Sequence, residues 1–337
     1  GVTTAPATAQ LLAAQITGGT PTIDPTPYAP ARFAGLRIDK GHFTGGAAPT
    51  IMDFETGRYR ESTVADLYDI ARLVDRLDNI HWYHRSIVAR DAKTILDLDM
   101  NTTYACLSGT TKSIAVSYTD SASVRAVQPM LDAVAGGDGK HRERPFCTAV
   151  CCHVVPPMRF ATESCDALEA AVLAGMPILL VSAGQAGATA PAALAGAVAQ
   201  ACAEVLAGLI LCHIIDPDCR GIFAAWPFVS DLRTGAMSGG SGEQALLSAA
   251  CAQMANFYDL PNSVPAGMTD SKLPDAQSGG EKALNTAANV IGFLGGIGTN
   301  SSKKYTMTAD PAAWRSGLSE LMNATNAQFT AAMNGAR

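Results

Sequence analysis

From Gly41 to Gly296 the chain repeats one unit, a short continuous apolar run followed by a segment of helical periodicity. The runs are NIHWYHRSIVA, SIAVSYT, FCTAVCCHVV, PILLVSAG, GIFAAWPFV and VPAGMTD, with ANVIGFLGG as a last apolar strand. Helices are expected across Thr94–Leu107, Val124–Ala135, Cys165–Ala174, Pro191–Ile215 and Glu243–Phe257, and from near Asp275. Ahead of them, TIMDFETGRYR reads as a strand pair turned at Thr56-Gly57. Ser62-Thr63 then opens a helix, with Asp66 in a capping box and Leu67, Ile70, Val74 and Leu77 on one face. Uniformly apolar strands separated by single helices indicate a parallel sheet covered by helices. No GxGxxG follows the first strand, which speaks against a doubly wound dinucleotide fold. The expected class is α/β, a (β/α)8 TIM barrel with an incomplete or divergent last unit. The expected organisation is an extended segment over 1–40, the barrel over 41–298 and a helical tail over 299–337. In such a barrel, function lies where strands end and helices begin.

Composition narrows the classes. With 48% hydrophobic residues and a net charge of −6, the chain is neither disordered nor a generic nucleic-acid binder. The longest apolar region, Pro191–Ile215, is interrupted by Gln200 and Glu204, so no membrane span is expected. The N-terminus has no basic region and does not read as a signal peptide. Nine cysteines, an odd number lying mostly in apolar runs, suit buried thiols in a reducing cytoplasm.

Three expected strand ends carry polar, small-residue loops: QAGATAP from Gln185, SDLRTGAMSGGSGEQ from Ser230, and SKLPDAQSGGEK from Ser271. Such loops admit a ligand close to the backbone and offer N–H groups. Asp231, Arg233, Glu243, Asp270, Lys272, Asp275 and Glu281 bring charge to them. Trp82, Tyr83, Tyr104, Trp226, Phe228 and Tyr258 lie near strand termini or on helices. Aromatic faces with carboxylates suit a quaternary ammonium, which has no hydrogen to donate. Metal chemistry is not indicated. His81 and His84, three apart on a strand, point to opposite faces, and the chain contains no CxxC. No GxSxG elbow is present, because Ser241 stands in GGSGE.

The runs SAGQAGATAPAALAGAVAQACAEVLAGL, WPFVSDLRTGAMSGGSGEQALL and AGMTDSKLPDAQSG resemble the trimethylamine methyltransferase superfamily, in its branch without pyrrolysine. The upstream stretch GGAAPTIMDFETGRYRESTVADLYDIARLVDRLDNIH is similar to the same family, and the likeness covers about residues 40–285. It departs from the family in lacking most of an N-terminal helical region and in its sequence after Gly298.

The resemblance implies a (β/α)8 barrel that moves a methyl group from a methylated amine to the cobalt of a separate corrinoid protein. The cobalamin-type cofactor would be carried by that partner, with no metal bound by this chain. Without pyrrolysine, the comparison is with enzymes for quaternary amines such as glycine betaine. An aromatic and carboxylate cage, with a cation to anchor a substrate carboxylate, would suffice. The expected catalytic residues are Asp231, Arg233 and Asp270. The expected substrate-binding residues are Trp82, Tyr83, Tyr104, Gln185, Trp226, Phe228, Lys272, Asp275 and Gln277. Arg233 or Lys272 would be the carboxylate anchor. A homo-oligomer in the cytoplasm is expected, with neither nucleic acid nor membrane as partner. Two other functions compete with this one. The first is another barrel enzyme acting on a small anionic metabolite, with Lys272 as a Schiff-base residue. The second is a degenerate barrel that binds a quaternary amine or serves as an assembly subunit.

Overall fold

The computed structural model describes residues 44–294 apart from Phe54, Asn79, Asp259 and Lys272. The expected segments 1–40 and 299–337 lie outside the described residues, as does Lys272. In chain order the elements are β1 (Thr50–Met52), β2 (Tyr59–Glu61), α1 (Val64–Asp75), β3 (Trp82–His84), α2 (Ile95–Gly109), β4 (Ser113–Val116) and α3 (Ser121–Ala135). The short α4 (Lys140–Glu143), β5 (Cys147–Cys151), β6 (Val154–Val155), β7 (Arg159–Phe160), α5 (Thr162–Leu173), β8 (Ile178–Ser182), β9 (Gln185–Ala186) and α6 (Leu194–Ile215) follow. The last are β10 (Gly221–Ala225), β11 (Phe228–Ser230), β12 (Met237–Ser238), α7 (Gly242–Phe257) and α8 (Ala276–Leu294).

The chain forms two compact units. The first holds residues up to Gly184 together with Ala199–Ala225, and the second holds Gln185–Val198 and the residues from Trp226 onward. In the first unit, β3, β4, β5, β8 and β10 pair in that order, every pair parallel. Neighbours in space are successive in sequence, with helices between them. This is the order of a half-barrel rather than a doubly wound sheet. Strand parity sorts the side chains. Tyr83 donates from its hydroxyl to Leu67 O in α1 at 3.3 Å, so its face of the sheet is the one under the helices. Cys151 and Ser182 share that face and bond to Ser164 O in α5 and Glu204 in α6. Trp82 and His84 therefore point to the opposite, inner face, with Ala115, Thr148, Val150, Leu179 and Val181.

Local chemistry explains the helix boundaries. Thr63 and Asp66 close the expected capping box of α1, and Thr94 and Asp120 cap α2 and α3 with their side-chain oxygens. The expected hairpin is present as β1 and β2, antiparallel, with Gly57 at φ 65° in its turn. Helix α6 is long and apolar enough to cross a membrane by composition. Its Glu204 is buried against the sheet of the first unit instead, as are Ala201, Cys202 and Val205.

Two expected strands differ. VPAGMTD is irregular apart from a single bridge residue just before it, at Asn262, and ANVIGFLGG begins inside α8, which runs to Leu294. A short apolar run has no periodicity that separates a strand from a helical face, and here the helix opened at Asp275 continues through it. In the second unit the sheet is β12-β11-β9, with β9 parallel and β12 antiparallel to β11.

Candidate functional site

Eight of the expected site residues fall in the second unit: Gln185, Trp226, Phe228, Asp231, Arg233, Asp270, Asp275 and Gln277. Its small sheet fixes three of their neighbours. Phe228 pairs with Gln185 across β11 and β9, and Ser230, two residues on, shares their face. The Ser230 hydroxyl donates to Gln185 Oε1 at 2.8 Å, which orients the amide beside the phenyl ring. Trp226 is held by its indole N–H, which donates to Ser263 O at 2.9 Å. The following Pro227 carbonyl accepts from Gln244 Nε2 at 3.0 Å, and Gln244 and Ser248, both fully buried on α7, form a ladder to Pro265 O.

Asp270 belongs to a second cluster. Ser238 is on the face of β12 that Val229 occupies, opposite to Phe228 and Gln185. Asp270 accepts from the Ser238 hydroxyl at 2.9 Å and from Gly239 N. Glu281 of α8 in turn accepts from Thr269 Oγ1 at 2.7 Å, Asp270 N at 2.8 Å and Gln277 Nε2 at 2.8 Å. The Thr269 hydroxyl leads those donors in holding the Glu281 carboxyl below its ordinary range. A Cβ on Gly240 would run into the Glu281 carboxylate, so the GGSG segment is glycine-rich to let that carboxylate approach. Its Ser241 caps α7.

The other charged residues have local duties. Asp231 opens the β11–β12 turn, accepting from Arg233 N at 2.9 Å, and that bond lowers its carboxyl from the usual value. Arg233 pairs with the same carboxylate at 3.3 Å, and its side chain is 90% exposed. Asp275 accepts from Ser278 N at 2.8 Å and caps α8, which lowers it likewise. The pair expected to be catalytic at Asp231 and Arg233 thus stands on an exposed hairpin, whereas Asp270 lies in a half-buried network.

In the first unit, Trp82 is on the inner face of the sheet beside His84, whose imidazole burial pushes down to about 4. Tyr83 is fully buried under α1, and Tyr104 lies on an exposed face of α2, so neither presents a ring to the inner face. Glu281, one of the charged loop residues expected from the sequence, supports the site residues, and so do Gln244, Ser248, Ser230 and Thr269, which the sequence reading did not pick out. Only the i, i+4 spacing of Gln244 and Ser248 on a helix was available in advance to suggest it. Among the described residues no group of three or more His, Cys, Asp or Glu side chains is placed to hold a metal ion.

The family model for trimethylamine methyltransferase (MTTB) matches residues 4–307. The chain belongs to the trimethylamine methyltransferase family. It is 29% identical over 251 residues to a trimethylamine methyltransferase of Methanosarcina thermophila, a match that covers 73% of this chain and 52% of that protein. It is 28% identical over 254 residues to another from Desulfitobacterium hafniense, covering 75% and 50%. It is also 30% identical over 266 residues to a glycine betaine methyltransferase of Desulfitobacterium hafniense, covering 78% and 55%. The chain thus spans about half the length of the curated relatives it matches.

Proposed function

We propose that the chain is a methyltransferase acting on a quaternary or tertiary methylated amine, of the glycine betaine kind, with the Co(I) of a separate corrinoid protein as methyl acceptor. The family match carries this reading, because the relatives it brings are named for a tertiary and for a quaternary methylated amine. The half-barrel is taken as part of a (β/α)8 barrel, at work in a reducing cytoplasm and associating as a homo-oligomer.

The reaction asks little of side chains. The corrinoid supplies the nucleophile, and the departing amine keeps the electron pair of the broken C–N bond. A quaternary substrate therefore leaves as a neutral amine without a proton donor. The protein must hold the methyl in line and exclude water. Phe228 offers a π face to the ammonium, and Gln185, held by Ser230, offers a fixed amide beside it. Trp226 adds an indole locked by Ser263.

The test mixes purified protein with Co(I) cobalamin, with and without a cognate corrinoid protein, and with trimethylamine, glycine betaine, choline and carnitine in turn. Methylcobalamin appearing in the absorbance spectrum with one of these amines is the expected outcome. Tight binding of an amine without any turnover would instead make the chain a binding subunit.

A further inference from the structure

Helix α6 is apolar on every side. From Ala199 to Ile215 it carries no Lys, Arg or Asp, and its single Glu, Glu204, is buried. Ala201, Cys202, Val205 and Cys212 are buried along one side. Ala199, Ala203, Leu206, Ile210 and Ile214 recur at spacings of four, three, four and four residues, which sets them along the opposite side. Ala199 is exposed there, Ile210 is 62% exposed and Ile214 is 73% exposed. A surface helix normally turns polar residues outward, and one that is apolar all round is buried. Yet only 39% of the most apolar eighteen residues of α6 are buried within the chain. Leu173, at the end of α5, is exposed as well. Arg142 donates to Leu173 O at 2.7 Å and to Asp216 Oδ2 at 2.8 Å, which holds the ends of α5 and α6 together.

We propose that a second copy of this chain covers this face, the two α6 helices crossing in a two-fold interface centred near Leu206 and Ile210. The inference gives an interface to the homo-oligomer of the functional reading, and rests on that reading for association alone, not for methyl transfer. Three features favour a second copy. In a two-fold interface each residue near the axis meets its own copy, so any charge there would face a like charge. The outer side of α6 carries no carboxylate, ammonium or guanidinium, whereas the net charge of −6 sets two copies against each other elsewhere. The alternating spacing of three and four is that of a helix–helix seam, and Ala199 and Ala203 permit close approach of a second backbone. A lipid surface fits less well. Helices that lie in a membrane interface set Lys and Arg beside their apolar face, while α6 has neither and runs into Asp216-Pro217-Asp218.

The experiment measures the mass of the purified protein by sedimentation equilibrium, for the wild type and for Ile210→Glu and Ile214→Glu. The expected wild-type species is a dimer, twice the 34.9 kDa of one chain, or a larger assembly built from it. Both variants replace exposed side chains, so the chain's own packing is spared and far-ultraviolet circular dichroism should not change. Each sets two unpaired carboxylates into the interface and should weaken this association by about a hundredfold or more. A wild type that stays monomeric, or an assembly that persists undiminished in both variants, overturns the proposal. So does flotation of the wild type with phosphatidylglycerol vesicles that Ile210→Glu abolishes, since the face would then belong to lipid. The wild-type mass decides the matter even where a variant does not fold. The methyl-transfer assay answers separately. A dimer that transfers no methyl group leaves this interface standing and removes the proposed activity, and an active monomer does the reverse.

Discussion

At the scale of single residues, the strongest constraints are charges and rings closed off from water. Glu204 is 1% exposed within α6, and its carboxylate accepts from the Ser182 hydroxyl and from Met158 N, the latter at 2.8 Å. Replacing it by Ala leaves the buried Ser182 hydroxyl and the part-buried Met158 N–H without that acceptor. Each costs about 1–3 kcal/mol, far more than the few tenths Ala gains in helix propensity. Glu204→Ala should lose about 3 kcal/mol in urea unfolding, and a loss below about 1 kcal/mol would mean that these bonds contribute nothing net. His141 makes a different prediction. It is fully buried against the edge of Phe146 and accepts from Cys147 N at 3.3 Å, and burial pushes its imidazole down from 6.5 to about 4. Between those two values the unfolded chain takes up a proton that the folded chain refuses, so stability present above pH 6.5 is lost as pH falls toward 4. The loss amounts to about 3 kcal/mol over the window, at about 1.4 kcal/mol per unit. His141→Phe should flatten this part of the unfolding profile between pH 7 and 4.5, and an unchanged slope would assign the dependence to another group.

At the scale of elements, close approaches decide more than propensities do. Gly208 lies inside α6, where Ala would be favoured by about 1 kcal/mol on propensity alone. A Cβ there would strike the His153 imidazole, which is fixed by its Nε2 contact with Glu204 O at 2.8 Å and by Phe160. Overpacking costs about 1–3 kcal/mol, so Gly208→Ala should lower the melting temperature. A higher melting temperature would show that the imidazole moves aside freely. The elements also show what a sequence can disclose. Helix caps are local, so Thr63, Asp66 and the hairpin at Gly57 could be read from neighbouring residues. Whether Tyr83 or Trp82 faces inward depends on strand register and on which face the helices cover, and no local pattern encodes either. The polar loops could be located from their small residues. The pairing of Gln185 with Ser230 and of Asp270 with Ser238 arises from strands distant in sequence. Arg233 looked like an anchor by charge alone, yet the tight turn at Asp231 folds it back onto its own loop.

At the scale of the whole molecule, sequential order of five parallel strands gives each βα connection its own strand end, as a barrel enzyme requires. On the proposed function such ends serve amine binding, and ligand binding offers a readout independent of turnover. A ligand that binds only the folded state stabilises it by about 2.7 kcal/mol at a hundred times its dissociation constant. For a chain of this size that is a rise of about 4 °C in melting temperature. Glycine betaine or trimethylamine should produce such a rise, whereas acetate, which lacks the ammonium, should not. Phe228→Ala removes the π face while leaving the backbone pairing of β11 with β9 in place, so it should cut the shift by more than half with little change in the unliganded melting temperature. An undiminished shift in this variant would move the ammonium away from β11. A panel of methylated amines that shifts nothing would remove the amine-binding function itself, since neither a missing corrinoid partner nor slow chemistry could account for the loss of binding.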